Sequence, residues 1–252
     1  MSLVEVETSG DRDMTSSVAT LTEVGAFVRA IQETVLEGRA DLAVHSCKDL
    51  PVEGPTGLEA VYPERDEPGD VLCGHDLSSL LTGARVGTGS PRRAAQMRRL
   101  RPDAQVVEIR GNVDTRLEKL HDRQYDAVVL AEAGLRRLGL EHEIGYRFGI
   151  EEMVPAPAQG ALAVEAIRES PAALALQKID HAGTRLEVEA ERELLSLTQA
   201  GCRSALGALA CVEPDGVAMT GFVADHLGAR TGRAHGSTSH EAARNLQKAL
   251  RL

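Results

Sequence analysis

From Val86 to Leu120 the chain reads VGTGSPRRAAQMRRLRPDAQVVEIRGNVDTRLEKL, two successive strand–turn–helix units whose turns are rich in glycine and arginine. Residues 85–88 read as a strand end, Gly87 and Gly89 permit a tight turn, Ser90 suits a helix N-cap, and Pro91 suits the first helical position. The unit then repeats. Residues 105–109 alternate as a strand, Arg110-Gly111-Asn112 is a turn, and residues 113–120 form a short helix carrying Arg116. A third, more apolar strand follows at 125–130, then a helix over 132–137 that stops at Gly139. Strands alternating with helices predict an α/β fold with a parallel sheet, and in such open sheets ligands bind beyond the carboxyl ends of the strands.

The same stretch is an island of positive charge. Between Arg85 and Lys119 stand nine Lys or Arg and four Asp or Glu, in a chain whose net charge is −10. Arg92 and Arg93 fall in the first turn of a helix, where free backbone N–H groups and the helix dipole already favour negative charge. Two like charges there oppose the dipole, so local helix stability does not explain them, whereas planar, bidentate recognition of carboxylates does. Arg92, Arg93 and Arg110 all sit at strand-to-helix turns and mark a candidate small-anion site. Arg98, Arg99 and Arg101 read as a solvated helix face.

At 252 residues and 42% apolar content, the chain can build two or three small α/β domains. Aromatic residues make up 2% and Trp is absent, so the cores must be aliphatic and stacking platforms for single-stranded nucleic acid are scarce. Net acidity also argues against nucleic acid as a partner. No apolar h-region opens the sequence and no run approaches the roughly 20 apolar residues of a membrane span, which predicts a cytoplasmic protein without a membrane partner. No P-loop and no GxGxxG is present, and Cys47, Cys73, Cys202 and Cys211 form neither a CxxC pair nor a zinc-finger spacing. Neither a nucleotide nor a metal is expected. Cys211, inside the apolar run 206–212, is expected to fill a core. Cys202 follows Gly201, which ends a helix expected over 184–199, and so lies on a loop before that strand.

A second constellation lies upstream. Residues 41–44 alternate as a short strand that runs into His45-Ser46-Cys47-Lys48-Asp49 before Pro51 stops it. A lysine beside an aspartate at a strand's carboxyl end supplies one anion-binding charge and one carboxylate able to stabilise a cation or move protons. Taken alone this signal is weak, because an adjacent Lys-Asp pair is commonly just a polar turn. The Pro-rich run Val154-Pro155-Ala156-Pro157-Ala158-Gln159-Gly160 reads as a crossover between domains, with a further strand over 161–165.

Taken together, DLAVHSCKDLP, VGTGSPRRAAQMRRLRPDAQVVEIRGNVDTRLEKL, YDAVVLAEAGLRRLGL, PAPAQGALAVE and ERELLSLTQAGCRSALGALA closely resemble the porphobilinogen deaminase (hydroxymethylbilane synthase) family, in family order across most of residues 3–225. The resemblance implies an α/β protein of three domains. The first two, residues 1–64 with 161–178 and residues 70–157, would look like the type II lobes of a periplasmic binding protein with the cleft between them, and the third, a small α+β domain over 183–252, would carry the cofactor cysteine. It implies a transferase of tetrapyrrole (haem) biosynthesis that acts as a monomer on porphobilinogen. The substrate loses ammonia to give an azafulvene, which the free α-carbon of the bound pyrrole chain attacks. Repetition ends in hydroxymethylbilane, released with water. By the resemblance, Cys202 forms the thioether to a covalent dipyrromethane and Asp49 is the catalytic carboxylate. Lys48, Ser90, Arg92 and Arg93 would hold the cofactor's carboxylates, and Arg110, Arg116, Thr88 and Gln159 those of the substrate.

The sequence departs from the family pattern in places. The matches begin downstream of a strand and helix bearing an Arg-x-Ser-x-Leu-Ala motif. Glu23-Val24-Gly25-Ala26-Phe27 lacks the lysine usual there, Arg147 stands near the place of an arginine expected soon after Leu138-Gly139-Leu140, Pro91 replaces an apolar residue, and Ala200 replaces a glycine of the cysteine loop. Three alternatives therefore stay open: a catalytically impaired homologue, a two-lobed small-anion-binding protein without activity, and DNA binding by the basic helix. The second needs the arginines but neither Cys202 nor Asp49, and a gel shift at low salt decides the third.

Overall fold

The computed structural model of the chain describes residues 2–4, 6, 23–198 and 205–252. It divides into two compact units, Met1–Arg65 with Ala161–Arg185, and Asp66–Gly160 with Leu186–Leu252.

In the first unit, β1 (Leu42–Ser46) and β2 (Leu58–Val61) flank β8 (Leu162–Ile167), both antiparallel to it. Helix α1 (Glu23–Leu36) lays Ile31 and Val35 against Ala43 and Leu58. Helix α5 (Pro171–Leu176) buries Ala173 and Leu176 on Val61, Val164 and Ala166, with Ser170 capping its first turn by accepting the Ala173 N–H. Strand β1 ends in a single 3₁₀ turn, Cys47–Asp49, pinned where the Cys47 N–H donates to the Ala161 carbonyl at 3.0 Å.

The second unit holds a five-stranded sheet ordered β5-β4-β6-β3-β7, with β3 (Asp70–Cys73), β4 (Arg85–Gly87), β5 (Gln105–Val107), β6 (Ala127–Ala131) and β7 (Ile144–Arg147). Strand β4 runs parallel to β5 and β6, whereas β3 runs antiparallel to β6 and β7. The sheet is thus mixed, not parallel throughout as the sequence suggests. Connectivity is the reason. Strands β3 and β4 lie on either side of β6 and are joined by a short link holding only a 3₁₀ turn at Leu77–Ser79, so β4 starts at the edge where β3 ends and the two run in opposite directions. Period-two alternation then loads both faces: Leu72, Val86 and Val129 pack with Met97 on one side, while Val71, Val128 and Leu130 pack with Leu117 and Leu135 on the other.

The local turn chemistry is as the sequence suggests. Helix α2 (Pro91–Leu100) is capped by Ser90 Oγ, which accepts the Arg93 N–H, and α3 (Val113–His121) by Asn112, which accepts the Thr115 N–H. Helix α4 (Glu132–Leu138) ends at Gly139, whose φ of 70° is the left-handed cap conformation that glycine adopts without strain.

The same unit carries an antiparallel meander, β9 (Ala205–Glu213), β10 (Gly216–Asp225) and β11 (Gly228–Gly236), covered by α7 (Ser239–Leu250) and by α6 (Ala182–Thr198), which begins in the first unit. Leu206, Ala208 and Ala210 point inward onto Leu194, Leu246 and Leu250. Cys211 falls on the opposite phase of the strand and is exposed, so it is not the core filler expected from its apolar neighbours.

Residues 154–160 form a strap across this unit. The Ala208 N–H donates to the Pro155 carbonyl at 2.9 Å, and Arg137 Nη2 reaches the Gly160 carbonyl at 2.6 Å. Gly160 has φ of 86°, and a Cβ there would lie 2.4 Å from the Asp66 carbonyl oxygen. Gly160→Ala should therefore cost about 2 kcal/mol or more, from left-handed strain and a backbone collision. A fall in melting temperature of about 5 °C or more is expected in a thermal scan, and an unchanged transition would contradict the strap's packing.

Candidate functional site

Strand β3 enters the sheet backwards, and that direction builds the site. Because β3 is antiparallel to β6, its first residue, Asp70, pairs with Ala131 at the carboxyl end of β6, the edge at which β4 delivers α2. Asp70 has no exposed side-chain surface. Its Oδ2 accepts Arg92 Nη1 at 2.6 Å, and its Oδ1 accepts Arg93 Nε at 2.9 Å and Gln159 Nε2 at 2.9 Å. Arg92 Nη1 also donates to the Val154 carbonyl at 2.7 Å, and Arg93 Nη1 to the Val129 carbonyl at 3.0 Å. Both arginines are buried, at 3% and 6% exposure. The carboxylate that both arginines grip is the protein's own, Asp70, a pairing the sequence did not lead one to expect.

Burial alone would raise the Asp70 carboxyl, but the Arg92 and Arg93 charges, with hydrogen bonds from Arg92 and Gln159, hold it far below the usual carboxylate range. Burial lowers Arg92, and the Asp70 charge opposes that fall. The cluster nevertheless keeps two guanidiniums for one carboxylate. Arg116 adds a third. It projects from the first turn of α3, its Nε donating to the Gly111 carbonyl at 2.7 Å, and it is lowered first by burial and then by the Arg93 charge. Among the described residues, no carboxylate lies in ion-pair reach of Arg116.

The remaining expected residues are placed as follows. Thr88 is buried, its Oγ1 accepting the Ser90 N–H at 3.2 Å, and Ser90 is half-buried as the α2 cap. Arg110 lies against Glu108 Oε1 at 2.9 Å in a surface pair; such pairs contribute little. Arg147 is committed to the buried Glu132, with Nε to Oε1 at 2.8 Å. Arg98 and Arg99 are exposed as expected, whereas Arg101 folds back to donate to the Leu77 and Leu80 carbonyls. In the first unit, Lys48 is half-buried and Asp49 exposed on the 3₁₀ turn after β1. His45 is buried, with Nε2 3.2 Å from Glu165 Oε2. Cys47 and Cys73 are buried, and burial, with Glu143 nearby, pushes the Cys73 thiol up to about 12, which leaves it inert near neutrality. Cys202 and Ala200 lie outside the described residues.

A family model described as porphobilinogen deaminase, dipyromethane cofactor binding domain, matches residues 1–200. The porphobilinogen deaminase of Nitratidesulfovibrio vulgaris (strain Miyazaki F) is 46% identical over 235 residues, covering 90% of this chain and 74% of that protein. The porphobilinogen deaminase of a Roseiflexus species is 43% identical over 233 residues, covering 90% and 76%. The chain belongs to the porphobilinogen deaminase family. Among solved structures, an ABC transporter from Parabacteroides distasonis overlays with a TM-score of 0.41 at 12% identity, covering 68% of this chain and 62% of that one, a likeness too slight to carry an argument.

In this member of the deaminase family, the buried acids Asp70, Glu132 and Glu191, of which Asp70 bonds the arginine pair, are not among the residues singled out from the motifs. Asp70 opens an apolar strand, Glu132 opens α4, and Glu191 lies inside α6. The available signal was an acidic residue inside or bordering an apolar run, which needs a buried partner to be tolerated.

Among the described residues, no helix is long and apolar enough to cross a membrane.

Proposed function

We propose that this chain polymerises porphobilinogen, with loss of ammonia, into hydroxymethylbilane on a covalently attached dipyrromethane, as a cytoplasmic monomer of three domains, residues 1–64 with 161–178, 70–157 and 183–252, the first two built as type II lobes. One observation carries the site assignment: Arg92, Arg93 and Arg116 gather at the carboxyl edge of the five-stranded sheet against a single internal carboxylate, Asp70. Excess positive charge held in partly buried surroundings is strongly attractive to carboxylates. Each pyrrole ring of substrate or cofactor carries an acetate and a propionate, so the donor set fits a poly-carboxylate ligand.

In this reading Lys48, Ser90, Arg92 and Arg93 hold carboxylates of the dipyrromethane, which when bound supplies the primer to which rings are added. Arg110, Arg116, Thr88 and Gln159 hold those of the incoming rings. Asp49, exposed on its turn, stabilises positive charge on the reacting pyrrole and accepts or returns the proton at its nitrogen. Cys202 is the attachment thiol.

The accessible thiol of Cys211 gives this assignment a competitor within the chain, whereas Cys47 and Cys73 are sealed in their cores. Intact-mass measurement decides between them. The purified protein should carry the dipyrromethane mass. Cys202→Ser should lose it, while Cys47→Ser, Cys73→Ser and Cys211→Ser should keep it. An adduct that survives Cys202→Ser and vanishes in Cys211→Ser would move the attachment site. Absence of any adduct would favour an anion-binding protein of the same fold.

A further inference from the structure

Glu191 is fully buried in α6, and its two oxygens tie together three segments distant in sequence. Oε2 accepts the Ala158 N–H at 2.5 Å, and Oε1 accepts the Ala210 N–H of β9 at 2.8 Å. Ala158 is a non-glycine residue at φ of 61° and 1% exposure. An L side chain rarely adopts that region, and it persists only where the surroundings over-determine it.

The next residue is Gln159, whose side chain is aimed by that backbone turn. Its Nε2 donates to the Pro68 carbonyl at 2.8 Å and to Asp70 Oδ1 at 2.9 Å, and its Oε1 accepts Arg93 Nη2 at 3.4 Å. If Ala158 relaxes to an ordinary conformation, Gln159 swings away, and the arginine pair loses one of the groups that orient it. The stretch 199–204, which carries Cys202, also connects in sequence the two elements that Glu191 joins, α6 and β9.

We propose that Glu191 is a positioning residue for the deaminase reaction, holding the 154–160 strap so that Gln159 is aimed at the carboxylates of the incoming ring while it braces Arg93 and Asp70. The inference rests on the reading of the arginines as carboxylate anchors given above. A carboxylate is required because both acceptors face N–H donors: a glutamine of the same size would turn its own NH₂ toward one of them.

The test is steady-state kinetics on the full chain carrying E191Q, beside wild type, Arg116→Leu and Val223→Ala. Val223 lies in the same hydrophobic cluster as α6 and its side chain has no polar atom to bond the arginines or their partners, so its truncation reports the effect of lost stability. E191Q should raise KM for porphobilinogen by about tenfold while kcat stays within about threefold, the pattern of lost binding that is common to ground and transition states. Val223→Ala should lower the melting temperature and leave KM unchanged. A KM raised in Arg116→Leu but not in E191Q overturns the role of Glu191 and leaves the anchors standing. Unchanged KM in both removes the anchor reading, and the inference with it. A matching rise in Val223→Ala would reduce Glu191 to a stability residue. If E191Q does not fold, E191D is read against the same three outcomes, since it keeps the charge but, one methylene shorter, cannot hold both N–H groups.

Discussion

Asp70→Asn is expected to lower the melting temperature by about 6–20 °C, because it leaves two buried guanidiniums without their carboxylate. Removing one partner of a buried ion pair costs about 3–5 kcal/mol, and each kcal/mol is worth roughly 2–4 °C in a domain of this size. The two arginines cannot escape by losing a proton, since a guanidinium stays charged at any accessible pH. The sign of the pH dependence follows from the depressed Asp70 carboxyl. A group whose folded pKa lies below its unfolded value stabilises the fold fully above the unfolded value, near 4, and loses that contribution as the pH falls toward the folded one. The gap between wild type and Asp70→Asn should therefore be flat from about pH 5 to 7 and narrow below about pH 4. Thermal scans across that range measure it. A variant within 2 °C of wild type at pH 7 would show that the cluster is not an ion-pair network of this kind.

The second large effect is on turnover. Asp49 is exposed on the 3₁₀ turn after β1, so Asp49→Asn should leave the fold and any preloaded adduct intact. Porphobilinogen consumption should nevertheless fall by roughly 100-fold, the scale of removing a preorganised electrostatic group. Asp49→Glu keeps the charge and displaces it by one methylene, and should lose less. Equal rates for wild type and Asn would make Asp49 a polar turn residue beside Lys48 and return the chain to the impaired-homologue or binding-protein readings.

These two aspartates differ in how visible they are in the chain. Asp49 stands in a motif that draws attention by itself, Lys48-Asp49 after a short strand. Asp70 stands before Val71-Leu72-Cys73, and no motif marks it. Its partners are Arg92 and Arg93, more than twenty residues on, and Gln159, farther still. Glu191 is harder to see again, because its place in α6 fits an ordinary polar helix position and its acceptors meet backbone groups at 158 and 210.

What the sequence by itself determined was local. Ser90-Pro91, Asn112 and Gly139 set the starts and stop of their helices because capping needs only neighbours within one turn. The family motifs likewise point to the chemistry because the residue types travel with their turns. What only the tertiary structure decided was direction and facing. Strand β3 runs antiparallel, which carries Asp70 to the arginine edge and gives Arg92 and Arg93 a shared internal carboxylate. Cys211 faces outward because β9 presents its other phase to α6 and α7. Strand direction and strand facing depend on which element packs against which, a long-range choice made by burial, and residue order along the chain records it only weakly.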